Sequence, residues 1–164
     1  MQSRLKPTLR SEGIRLNAEY INPFIQGSQK VLISMVGEQP VLGKVFLKKP
    51  PYEAQPVAVA ISTIGNPEIT TVLTMSPFVG CYLASKMMGS PIIVLDEMSK
   101  SALCELANMI AGNVATLFSQ KGIIVDITTP QYFGGSYPPL TRDTVCIPLV
   151  FQEKHIFEID VCLP

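Results

Sequence analysis

The stretch Asp96-Glu97-Met98-Ser99-Lys100-Ser101-Ala102-Leu103-Cys104-Glu105-Leu106-Ala107-Asn108-Met109-Ile110-Ala111-Gly112-Asn113 decides how this chain is read. A helix advances about 100° per residue, which places Ser101, Glu105 and Asn108 within roughly 60° of one another. A hydroxyl, a carboxylate and a carboxamide then share one narrow face, which continues into Gly112 and Ala115. A polar stripe running into residues with almost no side chain lets another protein's backbone come close. The opposite face, Leu103, Leu106, Ile110, Val114 and Leu117, is apolar and predicts burial in a core. On spacing alone, the plainest reading of such a stripe is an ordinary solvated helix face. Acidic side chains at Asp96 and Glu97 suit the start of this helix, and Lys121-Gly122 suits its end.

Upstream, residues 14–21 alternate enough to predict a short strand. Asn22-Pro23 reads as an N-cap followed by proline at the first helical position. Phe24, Val31, Ile33 and Met35 fit a helix ending at Gly37. Glu19 and Asn22 repeat the Glu-x-x-Asn spacing, but a capping Asn22 and a strand-bound Glu19 set that pair aside. Strands are predicted at Val41–Lys48, Val57–Ile64 and Thr70–Met75, with Gly65-Asn66-Pro67 as a turn. Ser76-Pro77 opens another helix, which runs to about Met88 and stops at Gly89. Its Met87-Met88 pair reads as core filling.

Downstream, Ile123–Thr128 reads as a strand, with Pro130 beyond it as a terminator. Residues 130–143, with three prolines and Gly134-Gly135, read as a loop. Val145–Phe151 and Ile156–Cys162 form a closing hairpin around Gln152–His155. Hairpin-connected strands with helices between them predict an α+β fold with a mainly antiparallel sheet.

At 164 residues and 47% apolar content, the chain has enough material for one domain with a core. Residues 1–12 read as a mobile lead-in and 13–164 as that single domain. Thirteen basic and thirteen acidic side chains cancel, so no long-range field draws the chain to nucleic acid or to an anionic membrane. No run approaches twenty uninterrupted apolar residues, and no apolar run follows Arg4, Lys6 and Arg10. Neither a membrane span nor a secretory signal is expected, and Cys81, Cys104, Cys146 and Cys162 are expected as reduced, mostly buried thiols. No C-x-x-C pair occurs, and the sole histidine, His155, falls in a turn, so no metal site is expected.

The spacing Ser101-x3-Glu105-x2-Asn108, followed by Pro130, resembles the signature of the CheC/CheX/FliY family of chemotaxis phosphatases. The run from Glu105 to Asn113 resembles the core of that signature. Ile21-Asn22-Pro23-Phe24 resembles the start of CheX, and Ala84-Ser85-Lys86-Met87-Met88-Gly89 the end of a CheX helix. Pro130 is one residue off the family's proline spacing, a difference that a small loop change explains. The resemblance runs from about residue 14 to residue 162 and is closest to the one-site CheX branch. It implies a CheC-like α+β fold with two long helices packed on one face of the sheet.

The resemblance also implies a cytoplasmic phosphatase that hydrolyses the aspartyl phosphate of a CheY-like response regulator. In that reading Asn108 orients the attacking water and Glu105 pairs with a lysine of the regulator. Ser101 and Gly112 belong to the docking surface. No cofactor of its own is expected, the Mg2+ being carried by the regulator. A homodimer with sheets continuing between subunits is also implied, with Ile156–Cys162 as a candidate edge. The competing reading is a CheX-like module that docks on a regulator or flagellar-switch component without hydrolysis. Asn113, turned toward the apolar side, is expected to make a structural hydrogen bond.

Overall fold

The computed structural model describes residues 18–164. The readings of residues 1–12 as a lead-in and of 14–17 as strand lie outside them. The described residues form α1 (Ala18–Val36), β1 (Val41–Leu42), β2 (Phe46–Lys48), β3 (Val57–Gly65), β4 (Thr70–Met75) and α2 (Pro77–Met88). They continue with α3 (Glu97–Ser119), β5 (Val125–Ile127), β6 (Gln131–Phe133), β7 (Thr144–Phe151) and β8 (His155–Cys162).

The strands build one sheet in the order β1-β7-β8-β4-β3-β5, with β2 also on β7 and β6 also on β3. Every one of these pairings is antiparallel. Strand alternation fixes which face is dry. Val145, Ile147 and Leu149 on β7 join Phe157, Ile159 and Val161 on β8 in the core shared with the helices. Strand β8 lies between β7 and β4, so it cannot supply the dimer edge expected of it. Its alternate residues are wholly buried, and its backbone is paired on both sides. The outer strands are β1 and β2 at one side and β5 and β6 at the other.

Three helices cover the dry face, two of them long: an α+β fold with an antiparallel sheet. Helix α1 lies against α3, and α3 lies on β3 and β5. Phe118 of α3 meets the rings of Tyr20 and Phe24 edge-on, at 6.0 and 6.2 Å. By length and composition α3 is apolar enough to cross a membrane. Its apolar side chains Leu103, Leu106, Ile110 and Val114 are instead buried in the core of this fold. Leu117, predicted with them, is only half-buried, and Phe118 takes the core position.

The start of α1 corrects the sequence reading. Residues 18–21 are helical, not extended, and the helix runs through Asn22 and Pro23. Asn22 is therefore not the cap, and Glu19 is not in a strand. Proline lacks the N–H that would bond the Glu19 carbonyl four residues back, so the helix forgoes that one bond there. The expected end at Gly37 is borne out: its φ is +81°, and its N–H donates to the Ile33 carbonyl at 3.0 Å.

Two other differences have local causes. The strand expected over Val41–Lys48 is split at Gly43, where the chain passes close to Pro148: a Cβ there would sit 3.0 Å from the proline Cγ. The segment 130–143, read as loop, contains the short strand β6, which pairs Gln131–Phe133 with β3. Three strand residues flanked by proline and glycine give no periodic signal.

The sheet's other face is closed by the chain near Tyr52 and Tyr137, whose rings stack at 4.8 Å. Beneath them Asp160 is fully buried, with the Lys48 ammonium 3.1 Å away and the Tyr137 hydroxyl donating at 2.9 Å. Burial raises the Asp160 pKa above the ordinary carboxylate value, while Lys48 and Tyr137 oppose that shift. All four cysteines are free; Cys146 and Cys162 are buried, and Cys81 and Cys104 half-buried. His155, expected as a surface turn residue, opens β8, and its ring lies 4.9 Å from that of Phe78.

Candidate active site on the exposed face of the long helix

The phase of α3 is set at its first residue. Asp96 is extended, with φ −106° and ψ −175°, and its Oδ1 accepts from the Ser99 N–H at 2.9 Å. The Ser99 hydroxyl oxygen accepts in return from the Asp96 N–H at 2.7 Å. This capping box satisfies two of the donors that a helix start leaves unpaired. The two hydrogen bonds from Ser99 hold the Asp96 carboxyl below the usual carboxylate range.

Locked at that end and buried along its apolar stripe, α3 turns Ser101 and Glu105 to the surface, with Asn108 half-buried beside them. The three line one wall of an open cavity of about 740 Å³. The facing wall is the chain between β5 and β6: Thr128, Thr129 and Pro130. Thr128 is fixed there by its hydroxyl, which accepts from the Ser62 N–H at 2.9 Å. The predicted stripe and Pro130, read as a terminator, thus meet across one cleft. The strand before it ends at Ile127, short of Pro130, as a terminator there requires.

Gly112 does not line the cavity. It continues the stripe beyond it, and a Cβ built there meets nothing within 4 Å. No described part of this chain therefore requires a glycine at that position. Asn113 lies on the other flank and donates from Nδ2 to the Met109 carbonyl at 3.1 Å, the structural bond expected of it.

The sequence reading missed the floor of the cavity. Lys100, Cys104 and Tyr132 also line it. Lys100 Nζ lies 5.5 Å from the Tyr132 ring centroid. Tyr132 sits on β6, the strand hidden in the proline-glycine segment, where no periodic signal predicts a pairing for it. Burial raises both the Cys104 thiol and the Tyr132 phenol above their ordinary values. At neutral pH both are protonated, and Cys104 is poorly suited to act as a nucleophile. Among the described residues no three His, Cys, Asp or Glu side chains converge as a metal-binding group. The cleft offers an open wall on which the Glu105 carboxylate and the Asn108 carboxamide lie a helical turn apart on a rigid element, with a second carboxylate, Glu97, nearer the start of the helix.

Solved structures define the class. The fold superimposes on a CheC-like superfamily protein from Shewanella sp. PV-4 with a TM-score of 0.79 and 25% identity, covering 91% of this chain and 99% of that one. It matches the CheX–CheY–BeF3–Mg2+ complex from Borrelia burgdorferi with a TM-score of 0.76 and 25% identity, over 88% and 97% of the two chains. This is a CheC-like protein in architecture. Residues 57–151 match the family model for chemotaxis phosphatase CheX, and the chain belongs to that family. A curated relative, the CheY-P phosphatase CheX of Thermotoga maritima, is 28% identical over 121 residues, which span 73% of this chain and 78% of the relative.

Proposed function

We propose that this protein removes phosphate from the aspartyl phosphate of a CheY-like response regulator. The observation that carries the reading is the placement of Ser101, Glu105 and Asn108 on one open wall, opposite Thr128–Pro130. An acyl phosphate is already activated, and the regulator brings its own Mg2+. The phosphatase has only to hold a water in line with phosphorus and keep it there. A carboxamide both donates and accepts, so Asn108 can fix a water's orientation from one side. Glu105, one turn earlier and exposed, is the charge that would pair with a regulator lysine and set the docking register. Ser101 extends that contact, and Gly112 admits the regulator's backbone. Relatives support the reading: one is a CheY-P phosphatase, and another was solved as a complex with CheY.

Acting on such a regulator places the protein in the cytoplasm. The homodimer implied by resemblance would form through an outer strand. The β1–β2 edge leaves the cleft open, whereas β5 and β6 flank its wall.

The test is phosphate release from phosphorylated regulators of the same organism, with this protein present in substoichiometric amount. Many turnovers per molecule are expected without an added metal beyond the regulator's Mg2+. Tight binding with an unchanged decay rate would instead identify a docking module.

A further inference from the structure

The cavity holds one basic side chain, Lys100, alongside the carboxylates of Glu97 and Glu105. Its position is built rather than incidental. The ammonium sits over the ring of Tyr132, and that ring is carried by β6 through the Val59–Tyr132 pairing. The Lys100 side chain is 36% exposed, so its charge remains available to solvent. Its ion pair with Glu97 is long, 3.7 Å, to a carboxylate that is 96% exposed, and such a pair neutralises little. The platform holds an otherwise flexible lysine in place beforehand, which lowers the entropy lost when it meets a partner.

We infer that Lys100 is a specificity-determining residue: a second docking charge, opposite in sign to Glu105, that pairs with an acidic side chain on the regulator. This rests on the reading of α3 as the regulator-docking face. The helix geometry decides what Lys100 can reach. Lys100 and Asn108 are eight residues apart, which is about 12 Å along the axis. Helical side chains also lean toward the N-terminus, away from Asn108. A phosphoryl group in contact with a water at Asn108 therefore lies toward the other end of the cleft, and the anion assigned to Lys100 is a carboxylate at the rim. Lys100 and Glu105 are five residues apart, about 7.5 Å along the axis and about 140° around it, so they line the one cavity from different flanks. Two opposite charges at that spacing fix orientation. A regulator docked in the reverse sense would bring lysine against lysine and acid against acid.

The test uses the full chain with its phosphorylated and unphosphorylated regulator. Lys100→Gln should raise Kd and KM by up to about 5-fold with kcat unchanged, and should flatten the dependence of KM on salt. Lys100→Glu should raise them by about 10-fold or more, since it places like charges face to face. An Asp→Lys or Glu→Lys change on the regulator should restore the affinity of Lys100→Glu. The weakening should be equal for both forms of the regulator. Loss confined to the phosphorylated form would overturn the inference in favour of a phosphoryl contact, and an unchanged Kd for Lys100→Glu would overturn it outright. Asn108→Ala, measured in parallel, separates the two levels. If Asn108→Ala keeps full turnover and Gly112→Leu binds the regulator normally, the docking reading of α3 falls and this inference with it. If Asn108→Ala loses turnover while Lys100→Glu binds normally, only this inference falls.

Discussion

Helices α1 and α3 each carry a Glu-x-x-Asn quartet followed by a glycine: Glu19, Asn22 and Gly27 on one, Glu105, Asn108 and Gly112 on the other. In both, the glutamate is exposed and the asparagine half-buried. The surroundings then diverge. Asn22 sits between the buried Ile21 and Pro23, and its Oδ1 is shut away from solvent without a hydrogen-bond partner among the described residues. Asn108 lines an open cleft. The glycines differ by one residue of spacing. Five residues separate Asn22 from Gly27 and four separate Asn108 from Gly112, and one residue turns a side chain by about 100°. Gly27 is turned into the α1–α3 seam, where a Cβ would meet Val114 Cγ2 at 3.3 Å and Asn113 Cβ at 3.5 Å. Gly112 faces open space. The same local spelling thus gives a helix–helix contact on one element and a free stripe on the other.

The largest expected contrast is between the asparagines. Asn108→Ala should lower kcat for regulator dephosphorylation by roughly 10² or more while binding survives, because its role is confined to the transition state. Asn22→Ala should leave kcat unchanged. A comparable loss from Asn22→Ala would make α1 a second working face and end the contrast.

The glycines sharpen it. Gly112→Leu removes a mid-helix glycine, a change that favours the helix by about 1 kcal/mol. Its melting temperature should be unchanged or higher, while regulator binding is lost. Gly27→Leu should do the reverse, overpacking the seam at a cost of about 1–3 kcal/mol and lowering the melting temperature. A stable Gly112→Leu that binds and turns over normally would show that nothing approaches there.

The glutamates should differ less. Glu105→Ala should weaken regulator binding by up to about 5-fold, as an exposed charge pair does, and the effect should shrink in high salt. Glu19→Ala should leave binding unchanged in the same titration.

The smallest effect concerns the cap that phases α3. Asp96→Ala should lower the melting temperature at neutral pH. The Asp96 carboxyl titrates below its ordinary value near 3.8 in the folded protein, so its stabilisation is present above that value and lost as pH falls through the folded one. The gap between wild type and Asp96→Ala should therefore close in acid; a gap that widened would mean the carboxylate is not what caps the helix.

Much of this was legible because its signals are local. Helix α3 has an acidic start, an apolar stripe at helical spacing and a glycine beyond its end, and its period puts Ser101, Glu105 and Asn108 on one face, while their reading as a site came from the family resemblance. Ser76-Pro77 and Gly89 bound α2 as predicted, with the Ser76 hydroxyl accepting from the Val79 N–H and Gly89 at φ +68°. What stayed hidden depends on long-range pairing. Asn22-Pro23 spells a helix start, yet the helix runs through it, since Ile21 and Phe24 gain full burial when both are helical. Strand β6 exists because β3 offers it a partner, and with it come Tyr132 and the floor of the cleft. The interior position of β8 follows from strand order, which alternation within one strand does not encode.

The regulator is expected to dock on the exposed stripe of α3 and not on α1. A structure of this chain with an Mg2+- and beryllofluoride-bound CheY-like regulator tests it most directly. The regulator's phosphorylation site should be seated over Ser101–Gly112, with the Asn108 carboxamide about 2.6–3.2 Å from a water aligned with the beryllium. A regulator bound elsewhere on the molecule, with Asn108 left open to bulk solvent, would contradict it.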